Sequence, residues 1–370
     1  VDAHLMFELP TDKYTQEEGI KIFRGRFSQE TIDKFQSTIL NQKQMDYKKM
    51  NQYVDEMMKQ YFPGHLWEKY RMSIKNSNRH DASRYHRDVI SDNYNVIEEF
   101  VTDYYGKYLL TTNVTELPEN YMIKILPGGI DLATGKTIKN SLSNVSTKTE
   151  AQSNNTPILH VTFTSTIVSN AIVNEIASGK TISSSLINNT KLDIVTKLDI
   201  SLNELDSDFI QESNLKIAKL TQQIVVILDV LSSGTDISMN NVFESLSETI
   251  LDSSNNSFDL TSINDLSNVV QTLKVRNTNV VISSNLQTNS INLVSNVNNT
   301  IKDISENDTF EAVFSESIKI TSATTNILED ENSGIDLNSG TFDSSSVTET
   351  IKTESNNVEL NNVLGEPEPE

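Results

Sequence analysis

The sequence predicts an α+β N-terminal part, a mostly α-helical C-terminal part and a mobile acidic tail. Composition is the first reason. Residues 1–100 hold 14 of the 25 aromatic side chains, with 15 basic and 16 acidic ones, whereas residues 101–370 hold 15 basic and 35 acidic ones. Hydrophobic periodicity is the second reason, since apolar residues beyond about residue 158 recur at helical spacing. Pro127-Gly128-Gly129 punctuates the chain between the two parts, so the predicted divisions are 1–126, 127–328 and a disordered tail over 329–370.

Charge and composition exclude several classes of protein. The 370 residues carry 51 acidic against 30 basic side chains, a formal charge of -21, and no cysteine. The lack of cysteine excludes disulfides, thiolate zinc sites and iron–sulfur clusters, and the negative charge argues against nucleic acid as a partner. The longest apolar run, Ile224–Leu228, is five residues, so no membrane span is predicted. A protein partner stays open, as do secreted, surface and viral origins, and no signal peptide is visible.

The N-terminal part is predicted to combine helices with short strands. An apolar stripe over residues 32–39 follows a Ser28 N-cap, and a second stripe over residues 47–61 ends at Pro63-Gly64. Two further segments alternate between apolar and polar side chains well enough to be strands, namely Leu66–Ile74 and Tyr121–Leu126.

The C-terminal part is predicted to be a bundle of helices. Its apolar residues repeat at helical spacing in blocks that cover residues 161–176, 215–231, 239–250, 263–273, 294–304 and 310–318. Gly179 and Gly234 stand where helices end, and Ser238 and Ser262 stand where N-caps belong. From about Glu329 the chain is rich in Ser, Asp, Glu and Asn, with too little apolar surface to offset the entropy of ordering. This predicts the mobile tail.

The segment Tyr85-His86-Arg87-Asp88 contains a His-x-Asp pair. Residues two apart on an extended strand point to the same side, so His86 and Asp88 can bind one metal ion together. With a distant histidine, such a pair forms the two-His-one-carboxylate site of non-haem Fe(II) oxygenases. His160 is the only histidine after His86, which makes it the candidate third ligand. A purely structural His86/Asp88 pair is the alternative.

Residues 20–130 resemble virus-type members of the phytanoyl-CoA dioxygenase-like family. The resemblance rests on a helix over about 28–62, the stretch Arg79–Asp88, and Met122-Ile123-Lys124-Ile125-Leu126-Pro127-Gly128. It implies that His86 and Asp88 bind Fe(II), that a Pro-Gly-x-His segment supplies the distal histidine, and that a basic residue holds 2-oxoglutarate.

This chain departs from that family pattern at two places. Ile130 occupies the position of the distal histidine, and isoleucine cannot bind iron, so only His160 is left to replace it. Lys136 or Lys139 would have to replace the usual arginine. An intact oxygenase, a metal-binding remnant and a structural pair therefore all stay open.

The segment from Gly128 to Thr137 also resembles a phosphate-binding loop. A Walker A loop needs a glycine, four residues and then Gly-Lys-Ser/Thr, but here five residues separate Gly129 from Gly135. Asp229 would be the companion carboxylate at the end of a strand, although it lies inside the strongest helical block. This spacing does not favour nucleotide hydrolysis.

A second resemblance covers residues 127–280. The glycine segment, Thr156-Pro157, Ala177–Lys180 and Lys197–Ile200 are similar to a helical module of large secreted or surface proteins of marine bacteria. The similarity implies a structural or interaction segment without assigned chemistry.

The sequence favours a non-catalytic structural or interaction protein. It would be built on an acidic helical module with a degenerate dioxygenase-like N-terminus and would need no cofactor. The acidic groups around residues 206–212 and 329–331 lack the ligand order of a calcium loop and indicate solvated charge. The alternative is an Fe(II)/2-oxoglutarate-dependent oxygenase, in which His86, Asp88 and His160 bind iron and Lys136 binds the co-substrate.

Overall fold

The computed structural model describes residues 118–360, apart from residues 130, 132, 135, 154–158, 236, 255 and 279. These residues are mostly helical, with a small two-stranded sheet. This confirms the helical character predicted for the C-terminal part. The elements predicted over residues 28–74, together with His86 and Asp88, lie outside the described residues.

An antiparallel β-hairpin begins the described chain. Its strands are β1 (Asn120–Ile125) and β2 (Leu142–Thr147), and the register pairs Asn120 with Thr147 and Ile125 with Leu142. Ile123 and Val145 are both buried and lie on opposite faces of the hairpin, since Ile123 pairs with Asn144 and Val145 pairs with Met122, so both faces of β2 are covered by other parts of the protein. The strand predicted over Tyr121–Leu126 is confirmed.

Residues 126–141 join these strands, and we call them the hairpin loop. The Gly128 N–H donates to the Ile138 carbonyl at 2.9 Å, and the Ile138 N–H donates to the Gly129 carbonyl at 2.7 Å. Gly128 has a φ of 109°, which glycine adopts without steric strain. The boundary predicted between residues 126 and 127 thus falls inside this hairpin, where Pro127-Gly128-Gly129 starts the connection between two paired strands.

Helices make up most of the remaining described chain. In order they are α1 (Lys148–Ser153), α2 (Phe163–Ala177), α3 (Ser184–Lys197), α4 (Leu202–Leu205), α5 (Leu215–Ser233), α6 (Met239–Asp252), α7 (Ile263–Arg276), α8 (Ser284–Lys302), α9 (Phe310–Glu329) and α10 (Ser344–Ser355). From α2 onward, each begins at a Ser, Thr, Asn or Asp whose side chain accepts a backbone N–H of the first turn. The N-caps predicted at Ser238 and Ser262 are confirmed.

The six predicted helical blocks correspond to α2 and α5 to α9. The ends are also as predicted, since Gly179 follows α2 with a φ of 97° and Gly234 caps α5. The sequence did not predict α3, because Ser, Asn and Thr interrupt its apolar residues. None of the helices in the described part is both long and apolar enough to cross a membrane.

The core is organised around α5. This helix packs against α9, α8, α6 and α2, and its residues Ile224, Val226 and Ile227 are completely buried. Apolar side chains on several faces of α5 therefore have a neighbouring helix to contact. Polar side chains on this helix must accordingly find partners inside the protein.

After α9 the described chain departs from the mobile tail that the sequence predicts from residue 329. The chain forms a turn-rich segment and then α10, which packs on α8 and α9. Leu337 and Ile351 are 5% and 1% exposed, and Asp343 caps α10 by accepting the N–H groups of Ser345 and Ser346. A few well-placed apolar residues and a cap are enough to order this polar segment. Residues 361–370 lie outside the described residues.

Candidate functional site

A cleft of about 570 Å³ lies between the hairpin loop, α9 and α10. Thr134 and Lys136 of the loop line one side, and Ser322 of α9 lines another. Three carboxylates also line the cleft, those of Asp330, Glu354 and Glu359. Apolar side chains, among them Ile327 and Ile335, line the cleft as well, and its carboxylates outnumber its lysine.

Lys136, the predicted co-substrate ligand, anchors the hairpin loop to α9. Its ammonium donates to the backbone carbonyl of Ser322 at 3.4 Å. Burial lowers the pKa of Lys136, and the charges of Glu329 and Asp229 oppose that effect. The negative charges of Glu329, Asp229 and Asp131 already act on this ammonium, so it has less attraction left for a dianion such as 2-oxoglutarate.

Asp229 is a buried carboxylate at the contact between α5 and α9. It is 7% exposed and accepts a hydrogen bond from the hydroxyl of Thr325. Burial raises its pKa from 3.8 to about 6, against the opposing effects of the Thr325 hydrogen bond and of Lys139 and Lys136. The charge of Glu329, which pairs with Lys139, adds to the increase. Asp229 therefore titrates much closer to neutrality than an ordinary aspartate.

The tip of the hairpin loop is organised by Asp131. Its carboxylate accepts the Ala133 N–H at 3.1 Å and the Thr134 hydroxyl at 2.5 Å, while its own N–H donates to the Lys136 carbonyl at 2.8 Å. A phosphate-binding loop instead leads from a strand into a helix with free backbone N–H groups. Because this segment leads into the antiparallel strand β2, and Asp229 lies on a helix, the structure does not support the phosphate-loop interpretation.

A second polar cluster surrounds Lys191 on α3. Its side chain is almost completely buried, and its ammonium lies 3.2 Å from Glu150 Oε1 and 3.9 Å from Asp206 Oδ2. Burial would raise the pKa of Glu150, but hydrogen bonds from Ser146 and Thr147 and the charge of Lys191 together lower it. A cleft of about 450 Å³ opens beside this cluster. The lysine already supplies the cation that these carboxylates need, so the cluster is a structural ion network.

Two other buried lysines cap the C-termini of neighbouring helices. Lys219 of α5 donates to the carbonyls of Ile304 at 2.7 Å and Lys302 at 3.1 Å, just where α8 ends. Lys197 of α3 donates to the carbonyl of Leu251 near the end of α6. Each lysine thus satisfies carbonyls that the helix itself leaves unpaired and complements the negative end of its dipole.

His160 precedes α2, and its backbone carbonyl accepts a hydrogen bond from the Asn144 amide of β2 at 2.8 Å. Among the described residues, no three His, Asp or Glu side chains are grouped closely enough to hold a metal ion. His86 and Asp88 lie outside those residues. The iron site with His86, Asp88 and His160 therefore stays a prediction.

The comparisons with known proteins give no further assignment. No family model, no curated protein and no solved structure matches this chain.

Sequence reasoning missed the roles of Asp229, Lys191 and Lys219. A signal was available for Asp229 and Lys219, because both lie in a helix that carries apolar side chains on several faces, which indicates that their charges are buried. The partners were not visible, since Thr325 and Ile304 lie about 90 residues away in the sequence.

Proposed function

We propose that the helical part of this chain is a non-catalytic interaction module whose negative surface binds a basic protein partner. The distribution of charge carries this proposal. Residues 118–360 contain 30 acidic and 14 basic side chains. At least nine of the basic ones form ion pairs with carboxylates of the same chain. Most of the carboxylates outside these ion pairs are exposed to solvent.

The interior supports a structural role for the buried polar groups. Ser169, Ser247 and Thr324 are completely buried, and each hydroxyl donates to the carbonyl four residues earlier in its own helix. Lys197 and Lys219 cap helices, as described above. These groups are committed to holding the bundle together, which leaves the surface as the part that can interact.

A negative surface of this kind favours association with basic partners. It raises the local concentration of cationic ligands, increases their association rate and opposes the approach of acidic ones. Exposed charges are screened by salt over about 8 Å at physiological ionic strength, so the binding should weaken steeply as salt is added.

Fluorescence anisotropy with a labelled lysine-rich peptide tests the proposal, and a glutamate-rich peptide of the same length is the control. We expect salt-sensitive binding of the first peptide only. Four exposed carboxylates without described bonds can be neutralised together, by Glu212→Gln, Asp308→Asn, Glu311→Gln and Glu316→Gln. This variant should bind the lysine-rich peptide more weakly while keeping its helical circular dichroism. Equal binding of both peptides, or no binding at low salt, would overturn the proposal.

The dioxygenase-like N-terminus and the oxygenase alternative remain predictions. They depend on His86 and Asp88, which lie outside the described residues, and they are tested by the iron titration given in the Discussion.

A further inference from the structure

Three interactions meet on one face of α9. Ser322, Thr325 and Glu329 are three and four residues apart, so they are neighbours on the helix surface. Each receives one side chain from another element: Lys136 contacts the Ser322 carbonyl, Asp229 contacts the Thr325 hydroxyl, and Lys139 pairs with Glu329. The two lysines belong to the hairpin loop, whereas Asp229 belongs to the central helix α5.

The charges on this face are balanced when Asp229 is ionised. Lys136 and Lys139 of the loop and Glu329 of α9 are the charged groups that act on Asp229 in the described part of the chain. Two ammonium groups then face two carboxylates. Asp131 also attracts Lys136, but it belongs to the loop itself. When Asp229 takes up a proton, Glu329 is therefore the carboxylate outside the loop that still acts on both lysines in the described residues.

We propose that Asp229 is the buried counter-charge that holds the hairpin loop on α9, and that its protonation releases the loop and widens the cleft. This inference goes beyond the proposed function and does not depend on the identity of a partner. Lys136 is partly desolvated where it contacts α9, so it gains hydration when the loop moves outward. The attraction of Asp229 offsets that gain only while the carboxylate is charged.

Release of the loop would change the cleft directly. Thr134 and Lys136 line it from the loop, while Ser322 and its neighbours on α9 line it from the bundle. Separating these two sides exposes the α9 face to solvent. The raised pKa of Asp229 places this change in mildly acidic solution, between neutrality and the range where ordinary carboxylates titrate.

Hydrogen exchange by mass spectrometry on the full chain, at pH 7.5 and pH 5.0, tests the proposal. Rates are corrected for the intrinsic pH dependence, and peptides covering the hairpin loop are compared with peptides covering α5. In the unmodified chain the Gly128 and Ile138 amides should exchange about three- to tenfold faster at the lower pH, the factor expected for losing one partly screened charge interaction. The α5 amides should not become faster.

Three variants sharpen the test. In Asp229→Asn and Lys136→Met, the loop should exchange quickly at both pH values, because the attraction between the charges of residues 229 and 136 is missing in each. In Asp308→Asn, which removes an exposed carboxylate elsewhere, the loop should behave as in the unmodified chain. The proposal is overturned if the unmodified loop exchanges equally at both pH values, or if Asp229→Asn protects the loop as the unmodified chain does at pH 7.5.

Discussion

The substitution Asp229→Asn is expected to stabilise the folded chain at neutral pH. Asparagine has the shape of aspartate and its carbonyl oxygen can still accept the Thr325 hydroxyl. The change removes a negative charge that is 7% exposed. Because burial disfavours the charged form, the folded state should gain free energy when the charge is removed.

The size of the effect follows from the pKa of Asp229. It is about 6 in the folded chain against an ordinary value of 3.8, and each pKa unit corresponds to roughly 1.4 kcal/mol. The folded state therefore binds this proton more tightly than the unfolded state. The stabilisation from protonation is complete below pH 3.8 and is lost as the pH rises through about 6, a difference of about 3 kcal/mol.

Thermal and urea unfolding between pH 4 and pH 8 measure this difference. At pH 8 the variant should be more stable than the unmodified chain by up to about 3 kcal/mol, or roughly 6–12 °C in Tm. The advantage should shrink as the pH falls and vanish near pH 4. Asp308→Asn is the matched control, because it removes one exposed carboxylate and should change stability by no more than about 0.5 kcal/mol.

Two results would refute this reasoning. The first is an Asp229→Asn variant that is less stable than the unmodified chain at pH 8, which would mean that the attraction of the loop lysines outweighs the desolvation of Asp229. The second is a stability difference that does not change with pH, since it would assign the effect to packing or to the hydrogen bond instead of to the charge.

Three further outcomes are expected. Lys219→Met should destabilise the chain by about 2–3 kcal/mol in urea unfolding, because the carbonyls at the end of α8 lose their donor. The same change at exposed Lys302 should cost less than about 1 kcal/mol, and equal costs would contradict the capping role of Lys219. Gly128→Ala should lower the free energy of unfolding by about 1 kcal/mol or more, because alanine is strained at positive φ even though its Cβ would meet no atom within 4 Å. An unchanged stability in thermal unfolding would contradict this. Anaerobic Fe(II) titration with 2-oxoglutarate should give the same heats for the intact chain and for His86→Ala; micromolar binding that the variant abolishes would instead establish the oxygenase alternative.

Local patterns in the sequence predicted the helices well where the apolar residues are dense. The block around Ile224 and Ile227 specified α5 because these residues contact neighbours on several sides. The same reasoning missed α3, whose apolar residues Ile187 and Ile194 are separated by polar ones. The same reasoning also predicted a mobile tail around Ile351. Local composition does not show that α8 and α9 provide a surface on which a few apolar side chains can be buried.

The arrangement of the site was beyond local reasoning. Lys136 and Ser322 are 186 residues apart, and Asp229 and Thr325 are 96 residues apart. No spacing rule connects residues so distant. The proline–glycine signal at 127–129 was real, but it marks a turn and does not show whether the strands on either side pair.

The β-hairpin has a practical consequence for the design of shorter fragments of this protein. A fragment that starts at residue 127 would remove β1 and leave the backbone of β2 without its partner. Residues 142–147 would then offer free N–H and carbonyl groups to any other extended chain, which is a route to self-association. A soluble, monomeric helical fragment should therefore begin before Asn120, so that the edge of β2 stays covered.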